Sequence, residues 1–584
     1  MLFKDTPEQK NLMRFFLWGA VGIAAIGFLF LCFFPLKGFD TWWLLSSGRE
    51  MVQSRSFLTR DIFTCAIYGK PWMNKYMPFE ILAYSIFAVA GYNGLIALRC
   101  VLACLALFLG FVPAFVWRKQ GSFSRIPLFG VALLIPFIGM ILSRRMIIRP
   151  ELFSLVFFTG FVCLWEMNRN RALRIRFWVA ALILQLVWTN FHSGFFMAFP
   201  TAVFYILERG VRNKNLASRE WLVLPALVLI SFFNPYGYHL HKEIIEVMSA
   251  PQYGKFIVEW RPLFRQDYPL FHKVVIMGFV LAAISGFILN ARNVRFAHVG
   301  LLCLLILMTL LSRRHAVFLC LFSPAVILWN YAHWHESRGA KVPWGRIRER
   351  VNIGMLWIFL LFFNFMIASG ALYKRHILNG PFGFGIDDSL YPRASADFME
   401  SAGVQGNILT RYGYGGYLIW RLTPRVRPCV DGRAEPFPIR LLERYWDIYT
   451  GEESPEDFCR EFDVTIALID YEDEPLLKHF KEQKAWGLCY LGYREALFLK
   501  RTAGNKPILE AFEIPLSLSS SEEVRKRLRL PSPAELAAYS PYLDYRRIVG
   551  IRVYLLKTLG IIDSGIMKDQ DVLSLMFGEK NPGE

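Results

Sequence analysis

The sequence has little charge for its length. Only 19% of its 584 residues are Asp, Glu, Lys or Arg, whereas 54% are hydrophobic. A soluble protein of this size carries more charge, so the composition excludes a soluble globular chain. Apolar runs fill the first 373 residues, and they can cross a hydrocarbon layer about 30 Å thick. The composition therefore predicts a polytopic α-helical membrane protein.

A cleavable leader is also missing. The first apolar run, residues 15–34, lacks a site of small residues before its end at Phe33-Phe34-Pro35, and signal peptidases require such a site. We therefore expect the run to stay in the protein as a signal anchor.

Nucleic-acid motifs are absent, although the formal net charge is +19. No basic stripe interleaved with aromatic residues is present, as a nucleic-acid surface would need. In polytopic proteins Lys and Arg collect in cytoplasmic loops. The excess of positive charge therefore indicates membrane topology, and we predict no nucleic-acid partner.

The ten cysteines include no CxxC pair. Cys429, Cys459 and Cys489 lie in the polar C-terminal part, where their spacing leaves one disulfide open without demanding it. Six others lie in or near apolar runs, where cysteine packs as a small hydrophobic residue. They are Cys32, Cys100, Cys104, Cys163, Cys303 and Cys320.

Eleven apolar segments, a number uncertain by one or two, are predicted to span the membrane. They are residues 15–34, 93–117, 126–143, 147–166, 176–190, 192–207, 221–233, 271–290, 297–312, 315–332 and 351–373. Residues 79–91 are apolar but short, and we expect an interfacial helix there. Clustered Arg and Lys mark alternate loops as cytoplasmic. The N-terminus is then cytoplasmic, and the first outer loop (35–92) and the chain beyond residue 373 lie outside.

The chain changes character after the last span. Strands are predicted at 406–410, 463–470 and 495–500, and helices at 438–451 and 454–462. Such alternation predicts a small extracytoplasmic α/β domain over 374–502. Residues 503–584 are expected to form a helical extension with breaks at Pro531, Pro533 and Pro541. The predicted transmembrane domain is 1–373, and no internal repeat is present.

Two arginine doublets occupy short loops on the predicted outer face: Arg144-Arg145 and Arg313-Arg314. Charges at membrane depth are costly and usually line a cavity or site. A guanidinium binds phosphate through a planar fork, so the doublets are candidates to hold the phosphate of a lipid carrier. Contact with phospholipid headgroups or helix capping is the alternative. Further candidate substrate-binding residues on this face are Arg149, Asn190, His192 and His315.

Three outer carboxylates are candidate catalytic residues: Asp40, Glu80 and Glu259. A carboxylate beside a cavity can take a proton from an acceptor hydroxyl. Alternatively, Asp40 and Glu259 could hold a divalent cation such as Mg²⁺ or Mn²⁺. The structural alternatives are a helix N-cap for Asp40 and a helix-surface position for Glu80. Asp61 is expected to be a turn or cap residue.

These features resemble the GT-C membrane glycosyltransferases, which include the oligosaccharyltransferases and O-mannosyltransferases and use polyprenyl-phosphate-linked sugars. FDTWWLLSSGREM (39–51) resembles the start of the first outer loop in oligosaccharyltransferase catalytic subunits. The resemblance implies that Asp40 helps to bind metal and acceptor. FIVEWRP (256–262) is similar to the Thr-Ile-x-Glu motif of that group, with Phe256 at the Thr position and Glu259 at the Glu position.

Two departures from that group concern its acidic motifs. RYGYGGYLIW (411–420) and RPCVDGRAE (427–435) resemble the Trp-Trp-Asp-Tyr-Gly region and its downstream Asp, but no Asp precedes Tyr-Gly here. SRRMIIRPE (143–151) stands in place of the Asp-x-Asp motif of the second outer loop. These differences leave recognition of a glycosylation sequon in the acceptor unsupported.

A closer resemblance is to a group of uncharacterised bacterial multi-pass membrane proteins, over about residues 35–500. The shared patterns are DxWW, GxPW, RPELFS, NxHxG, NPYG, EWxP, RRxxxF, GGYLIW and DGRAE. They occur here at Asp40, Gly69, Arg149, Asn190, Asn234, Glu259, Arg313, Gly415 and Asp431.

The C-terminal domain adds glycine and aromatic candidates. Gly413, Gly415 and Gly416 permit either close backbone approach or positive φ. Asp431-Gly432-Arg433 is typical of a tight turn with an internal ion pair. Tyr412 and Tyr414 are candidate substrate-binding residues, because aromatic side chains stack on sugars, although aromatics equally form domain cores. Neighbouring aromatics with the same two interpretations are Tyr417, Trp420 and Trp446.

Three functions are weighed. The first is transfer of a sugar from a polyprenyl-phosphate-linked donor to a glycan or protein acceptor at the outer face of the bacterial inner membrane. The second is a non-catalytic envelope protein that handles lipid-linked glycans or serves as a scaffold, which the missing Asp-x-Asp favours. The third is a secondary transporter, against which the sequence offers no inverted repeat and no paired broken helices.

Overall fold

The computed structural model describes residues 7–119, 128–249, 257–337, 345–375, 377–378, 380, 382–515 and 545–561. The chain divides into two compact units, and each is described by itself. The first unit holds Met1–Leu36, Lys75–Phe79 and Ser85–Gly385, and the second holds Lys37–Asn74, Glu80–Tyr84 and Ile386–Glu584. The predicted domain boundaries stay a prediction.

Helices make up the first unit, apart from α2, which belongs to the second. In chain order they are α1 (Pro7–Cys32), α2 (Asp40–Ser54), α3 (Met77–Lys119), α4 (Leu128–Ser143), α5 (Glu151–Met167), α6 (Ile175–Phe191), α7 (Ala198–Arg212), α8 (Val223–Ser231), α9 (Tyr238–Ser249), α10 (Leu270–Leu289), α11 (Phe296–Leu311), α12 (Ala316–Ser337), α13 (Gly345–Ala368) and α14 (Ala371–Lys374). Helix α12 is central, because it packs against α4, α5, α10 and α11 and nearly all of its side chains are buried.

Five helical segments of the described chain are long and apolar enough to cross a membrane: Asn11–Cys32, Met77–Trp117, Leu270–Leu289, Arg313–Ser337 and Arg350–Ala368. Helices α4, α6 and α11 are apolar but shorter. Each predicted span coincides with a helix, but the total of eleven crossings stays a prediction. Residues 79–91 form the first part of α3, which breaks at Gly91, where φ is +59°. Glycine reaches such a φ without steric cost.

A five-stranded sheet in the order β2-β1-β3-β5-β4 forms the core of the second unit. Strand β1 is parallel to β2 and β3, and β5 is antiparallel to β3 and β4. The elements are α15 (Arg393–Ser401), β1 (Gly406–Thr410), α16 (Tyr412–Leu422), β2 (Val426–Pro428), α17 (Ile439–Thr450), α18 (Pro455–Glu461), β3 (Val464–Asp470), α19 (Glu474–Glu482), β4 (Trp486–Leu491), β5 (Glu495–Lys500), α20 (Lys506–Phe512) and α21 (Tyr545–Thr558). The predicted C-terminal sheet domain is confirmed.

The helical extension expected over 503–584 is described only in part. Helices α20 and α21 fall within it. Residues 516–544, with Pro531, Pro533 and Pro541, and residues 562–584 lie outside the described chain.

Candidate functional site

Glu259 is the hub of an ion cluster in the first unit. Nη1 of Arg145 lies 2.5 Å from Oε1 of Glu259, and Nη1 of Arg149 donates to both oxygens at 2.7 and 2.9 Å. Arg145 also pairs with Glu151, the first residue of α5. Burial raises the pKa of Glu259, but Arg145 and Arg149 lower it more strongly, so its pKa lies well below the ordinary value. Glu259 is therefore a fixed anion at neutral pH and a poor proton acceptor.

The segment around Glu259 is tied by backbone bonds to the end of α11. Ser312 Oγ donates to the carbonyl of Glu259 at 3.2 Å, and the Arg313 N–H donates to the carbonyl of Arg261 at 3.1 Å. These bonds bring the Glu-Trp-Arg sequence beside the second arginine doublet. Phe256, at the Thr position of the motif resemblance, lies outside the described residues.

Asp267 holds the first arginine of that doublet. Arg313 donates to it at 3.0 and 3.2 Å, and Arg261 donates at 3.1 Å. Only 9% of the Arg313 side chain is exposed. Arg313 is thus committed to a protein carboxylate, as Arg145 is.

The other member of each doublet has no such partner. The Arg144 guanidinium lies over the ring of Tyr268, 5.8 Å from its centroid, and that of Arg314 lies over Trp260 at 5.0 Å. Within the described ranges neither arginine has a carboxylate within 4 Å. Each doublet therefore contains one paired and one unpaired cation. A flat cation on an aromatic face keeps its N–H groups available for an anion.

His192 is oriented by three hydrogen bonds at the junction of α6 and the next helical turn. The Gly194 N–H donates to its Nδ1 at 3.0 Å, so Nδ1 is unprotonated and the proton of the neutral ring is on Nε2. The hydroxyl of Ser154 lies 2.7 Å from the same nitrogen and accepts from Trp188 Nε1 at 2.7 Å. The ring of Tyr76 stacks on the imidazole, with the centroids 6.1 Å apart.

The charges that act on His192 come from Glu151, Arg314, Lys75 and Arg145. The Nε2–H has no hydrogen-bond partner in the described part of the chain and can donate to an anionic ligand. His192 thus belongs to the same polar end of the first unit as the arginines.

Asn190 and His315 hold helix ends. The Asn190 amide donates to the carbonyls of Leu186 and Phe233 at 2.9 and 3.0 Å. Nδ1 of His315 lies 3.2 Å from the carbonyls of Met308 and Ser312. Their polar contacts go to the backbone of their own unit, and substrate binding by either residue stays a prediction.

In the second unit, Asp40 is the first residue of α2. Phe39 occupies the N-cap position without a side-chain bond, so Asp40 does not cap the helix through its own side chain. Its carboxylate accepts from Trp43 Nε1 at 3.3 Å and benefits from the positive end of the helix dipole. A Cβ on Gly432 would lie 3.0 Å from Oδ1 of Asp40. Glycine at 432 therefore leaves room beside the half-buried carboxylate.

The glycines of α16 permit close packing. A Cβ on Gly416 would lie 3.1 Å from the carbonyl of Phe39, and one on Gly415 would lie 2.4 Å from the carbonyl of Val430. None of the three glycines in this stretch has a positive φ. Close approach, and not an unusual backbone conformation, is therefore the reason for glycine here, and it places α16 against α2 and the turn after β2.

That turn carries a buried ion network. Nε of Arg433 donates to both oxygens of Asp431 at 2.9 Å, and Nη2 donates to Asp61. The guanidinium lies over the Trp72 ring at 4.5 Å. Burial raises the pKa of Asp431, although Arg433 draws it down. Asp61 also accepts three hydrogen bonds within its own turn, from residues 63 and 64.

Glu80, Tyr412 and Tyr414 surround this network differently. Glu80 is fully buried; Asn74 donates to one oxygen at 2.6 Å, and the other has no hydrogen-bond partner among the described residues. Tyr414 is buried and donates to Asp470 at 2.5 Å. Tyr412 is half-buried, and burial together with the charge of Asp40 raises the pKa of its phenol well above the ordinary value. Tyr412 is therefore a neutral neighbour of Asp40.

The other aromatic candidates do not share one surface. Tyr417 and Trp420 are buried, whereas Trp446 is 49% exposed. The buried rings pack as a domain core.

The carboxylates do not gather as a metal centre. In the described ranges no three His, Cys, Asp or Glu side chains come together in a way that could hold a cation. Glu259 is held by Arg145 and Arg149, and Asp61 by Arg433. The metal role predicted for Asp40 and Glu259 is not supported by this donor set, so no chemical step below uses a cation.

Comparison with known proteins gives no match to a protein family or to a curated protein. Solved structures do match. The archaeal oligosaccharyltransferase AglB from Archaeoglobus fulgidus, in complex with an inhibitory peptide and a dolichol-phosphate, superposes with a TM-score of 0.55 at 11% identity, over 82% of this chain and 73% of that one. The chain has the GT-C fold.

Two further GT-C structures are similar. An Archaeoglobus fulgidus oligosaccharyltransferase in complex with Zn and sulfate has a TM-score of 0.50 at 13% identity, over 97% of this chain and 86% of that one. ArnT from Cupriavidus metallidurans, bound to undecaprenyl phosphate, has a TM-score of 0.43 at 12% identity, over 84% and 98%.

The predicted GT-C resemblance is therefore confirmed, and the chain is a multi-pass membrane protein. At these identities the similarity establishes the GT-C fold alone. The closer link to bacterial multi-pass proteins and the roles of individual site residues stay predictions.

Sequence reasoning missed Ser154, Lys75, Tyr76, Trp43 and Asp267 as partners of the candidate residues. Ser154 lies in the RPELFS pattern and Trp43 in DxWW, so these two could have been found from the same motifs. Asp267 lies in a loop without a pattern and carried no signal.

Proposed function

We propose that this GT-C protein is an inverting glycosyltransferase. It transfers a sugar from a polyprenyl-phosphate-linked donor to a glycan or protein acceptor at the outer face of the bacterial inner membrane. The proposal includes eleven crossings, a cytoplasmic N-terminus and a C-terminal domain outside. The GT-C fold supports the proposal, and the two archaeal structures of that fold are oligosaccharyltransferases.

The observation that carries the proposal is the split of both arginine doublets. Arg145 and Arg313 are neutralised by carboxylates, and this fixes the backbone on which Arg144 and Arg314 stand. The unpaired guanidinium groups lie on aromatic faces. Such cations suit the phosphate of a lipid carrier, because charged hydrogen bonds to phosphate are strong and directional.

Asp40 is proposed as the base. It takes the proton of the acceptor hydroxyl, the hydroxyl oxygen attacks the anomeric carbon, and the bond from that carbon to the phosphate oxygen breaks with its electron pair staying on the phosphate. The configuration inverts because a single displacement occurs. Glu259 is a less suitable base, because its arginine partners keep it ionised and occupied. Glu80 is a less suitable one, because it is fully buried.

The lipid-binding part is tested with undecaprenyl phosphate and purified full-length protein. Arg144→Gln and Arg314→Gln should each weaken binding by about 10- to 100-fold, as expected for loss of a charged hydrogen bond. Arg212→Gln is the control, because Arg212 bonds only Asn170 and the carbonyl of Arg169. Unchanged affinity in both doublet variants would contradict the assignment.

The catalytic part is tested by Asp40→Asn. This variant should insert, fold and bind undecaprenyl phosphate like the wild type but transfer no sugar, since an amide cannot accept the proton. Asp457→Asn is the matched control, because its side chain is 77% exposed. Normal glycan output from Asp40→Asn would eliminate Asp40 as the base.

A second candidate is a non-catalytic protein that binds lipid-linked glycans or acts as a scaffold. The engagement of Glu259 by two arginines favours it, because that carboxylate is then structural. This candidate predicts that wild-type protein binds a lipid-linked sugar and never turns it over with any acceptor tested.

A further inference from the structure

Two cysteines distant in sequence meet in the second unit. Sγ of Cys65, in the loop after α2, lies 3.0 Å from Sγ of Cys429, just after β2. A disulfide bond is 2.03–2.05 Å long, so bond formation needs a closing movement of about 1 Å. Both side chains are free thiols in this structure.

Backbone contacts show that the meeting is part of the fold. The Cys65 N–H donates to the carbonyl of Pro428 at 3.0 Å. Close by, Arg433 joins Asp61, and Arg427 lies over the Tyr68 ring at 4.5 Å. The loop is therefore attached along the edge strand β2 on both sides of the cysteine pair.

We propose that Cys65 and Cys429 form a disulfide that fastens this loop to strand β2. The oxidant is an external disulfide, R–S–S–R, of the kind carried by thiol oxidoreductases or oxidised glutathione. The half-exposed Cys65 thiolate attacks it, giving a mixed disulfide and one R–SH. Cys429 then attacks the Cys65 sulfur, its proton goes to the departing thiolate, and the second R–SH leaves.

Cys459 is the competing partner. It is buried and lies within electrostatic range of Cys65, but no backbone bond holds it there. Cys489 is also buried and has no thiol contact, its Sγ lying 3.7 Å from the carbonyl of Gly487. The geometry thus selects Cys429 and leaves Cys489 as a control.

The test uses purified full-length protein treated with excess oxidised glutathione, blocked with N-ethylmaleimide and digested with trypsin without reduction. Peptide 61–75, which contains Cys65, should be linked to peptide 426–433, which contains Cys429. Reduction should separate them. The number of thiols that react in denaturant should fall from ten to eight.

The variants decide between partners. Cys65→Ser should abolish the link and restore the Cys429 thiol to the reactive set, whereas Cys489→Ser should leave the link intact. Cys65 is half-exposed, so its replacement tests the proposal even if replacement of the buried Cys429 prevents folding. Maleimide adducts on both peptides after oxidation, or a link from 61–75 to 445–460, would overturn the proposal.

Discussion

Removal of Arg433 would leave two buried carboxylates without a counter-charge. Asp61 and Asp431 are fully buried, and both pair with this guanidinium, itself 1% exposed. Breaking a buried pair by removing one partner costs about 3–5 kcal/mol. At about 1.4 kcal/mol per factor of ten, Arg433→Met should make local opening about 150- to 5,000-fold more frequent. Methionine keeps the stem that lies on Trp72 and removes the charge.

The assay is the labelling rate of the Cys429 thiol in native protein that has been reduced and freed of reductant. Cys429 is fully buried, two residues before Asp431, so it reacts only when this region opens. The excess rate should shrink as the pH is lowered, because protonated aspartates need no counter-charge.

Arg444→Met is the control. Its side chain is 26% exposed and pairs with exposed Glu453 and Glu461, so its loss should cost about 1 kcal/mol or less. If Arg433→Met changes the labelling rate by less than threefold at neutral pH, the network does not stabilise this turn and the reasoning is refuted.

Three further predictions concern packing, pH and a buried hydrogen bond. Gly415→Ala should destabilise the second unit by about 1–3 kcal/mol through overpacking, as measured by thermal melting, while Gly504→Ala, which meets no atom within 4 Å, should not. Burial raises the pKa of Glu495 to about 7, so the folded state binds a proton more tightly than the unfolded state does, and stability should fall as pH rises from about 4.5 to 7. A pH-independent melting temperature for wild type would refute this assignment, and Glu495→Gln should flatten the profile. Ser154→Ala should leave the Trp188 N–H buried without its acceptor and cost about 1–3 kcal/mol; an unchanged melting temperature would contradict the bond.

The elements that the sequence predicted correctly carry a local signal. Strands β1, β3 and β5 are apolar runs between turn residues, and a run of that kind is typical of a buried strand. Strand β2 escaped prediction because it has three residues, one of them proline. Strand β4 was also not predicted, and it contains a glycine.

The site could be predicted only as residue types. Arginine doublets at outer helix ends indicate an anion site, but which member is free depends on Asp267 and Glu259, and these contacts are tertiary. The Asp61–Arg433 pair joins residues 372 positions apart, a separation at which no periodicity exists. Asp40 at the first helical position, instead of the cap, is a shift of one residue that composition cannot resolve.

The loop that carries Asp61 has a consequence for biogenesis. Translation makes it 372 residues before Arg433, and at about 5–20 residues per second the delay is roughly 20 to 70 seconds. During that time its acidic side chain and the adjoining tryptophans have no C-terminal strand to rest on, so the nascent segment must remain solvated or be shielded by a chaperone. Chains truncated before residue 426 would display this segment permanently to proteases and quality control.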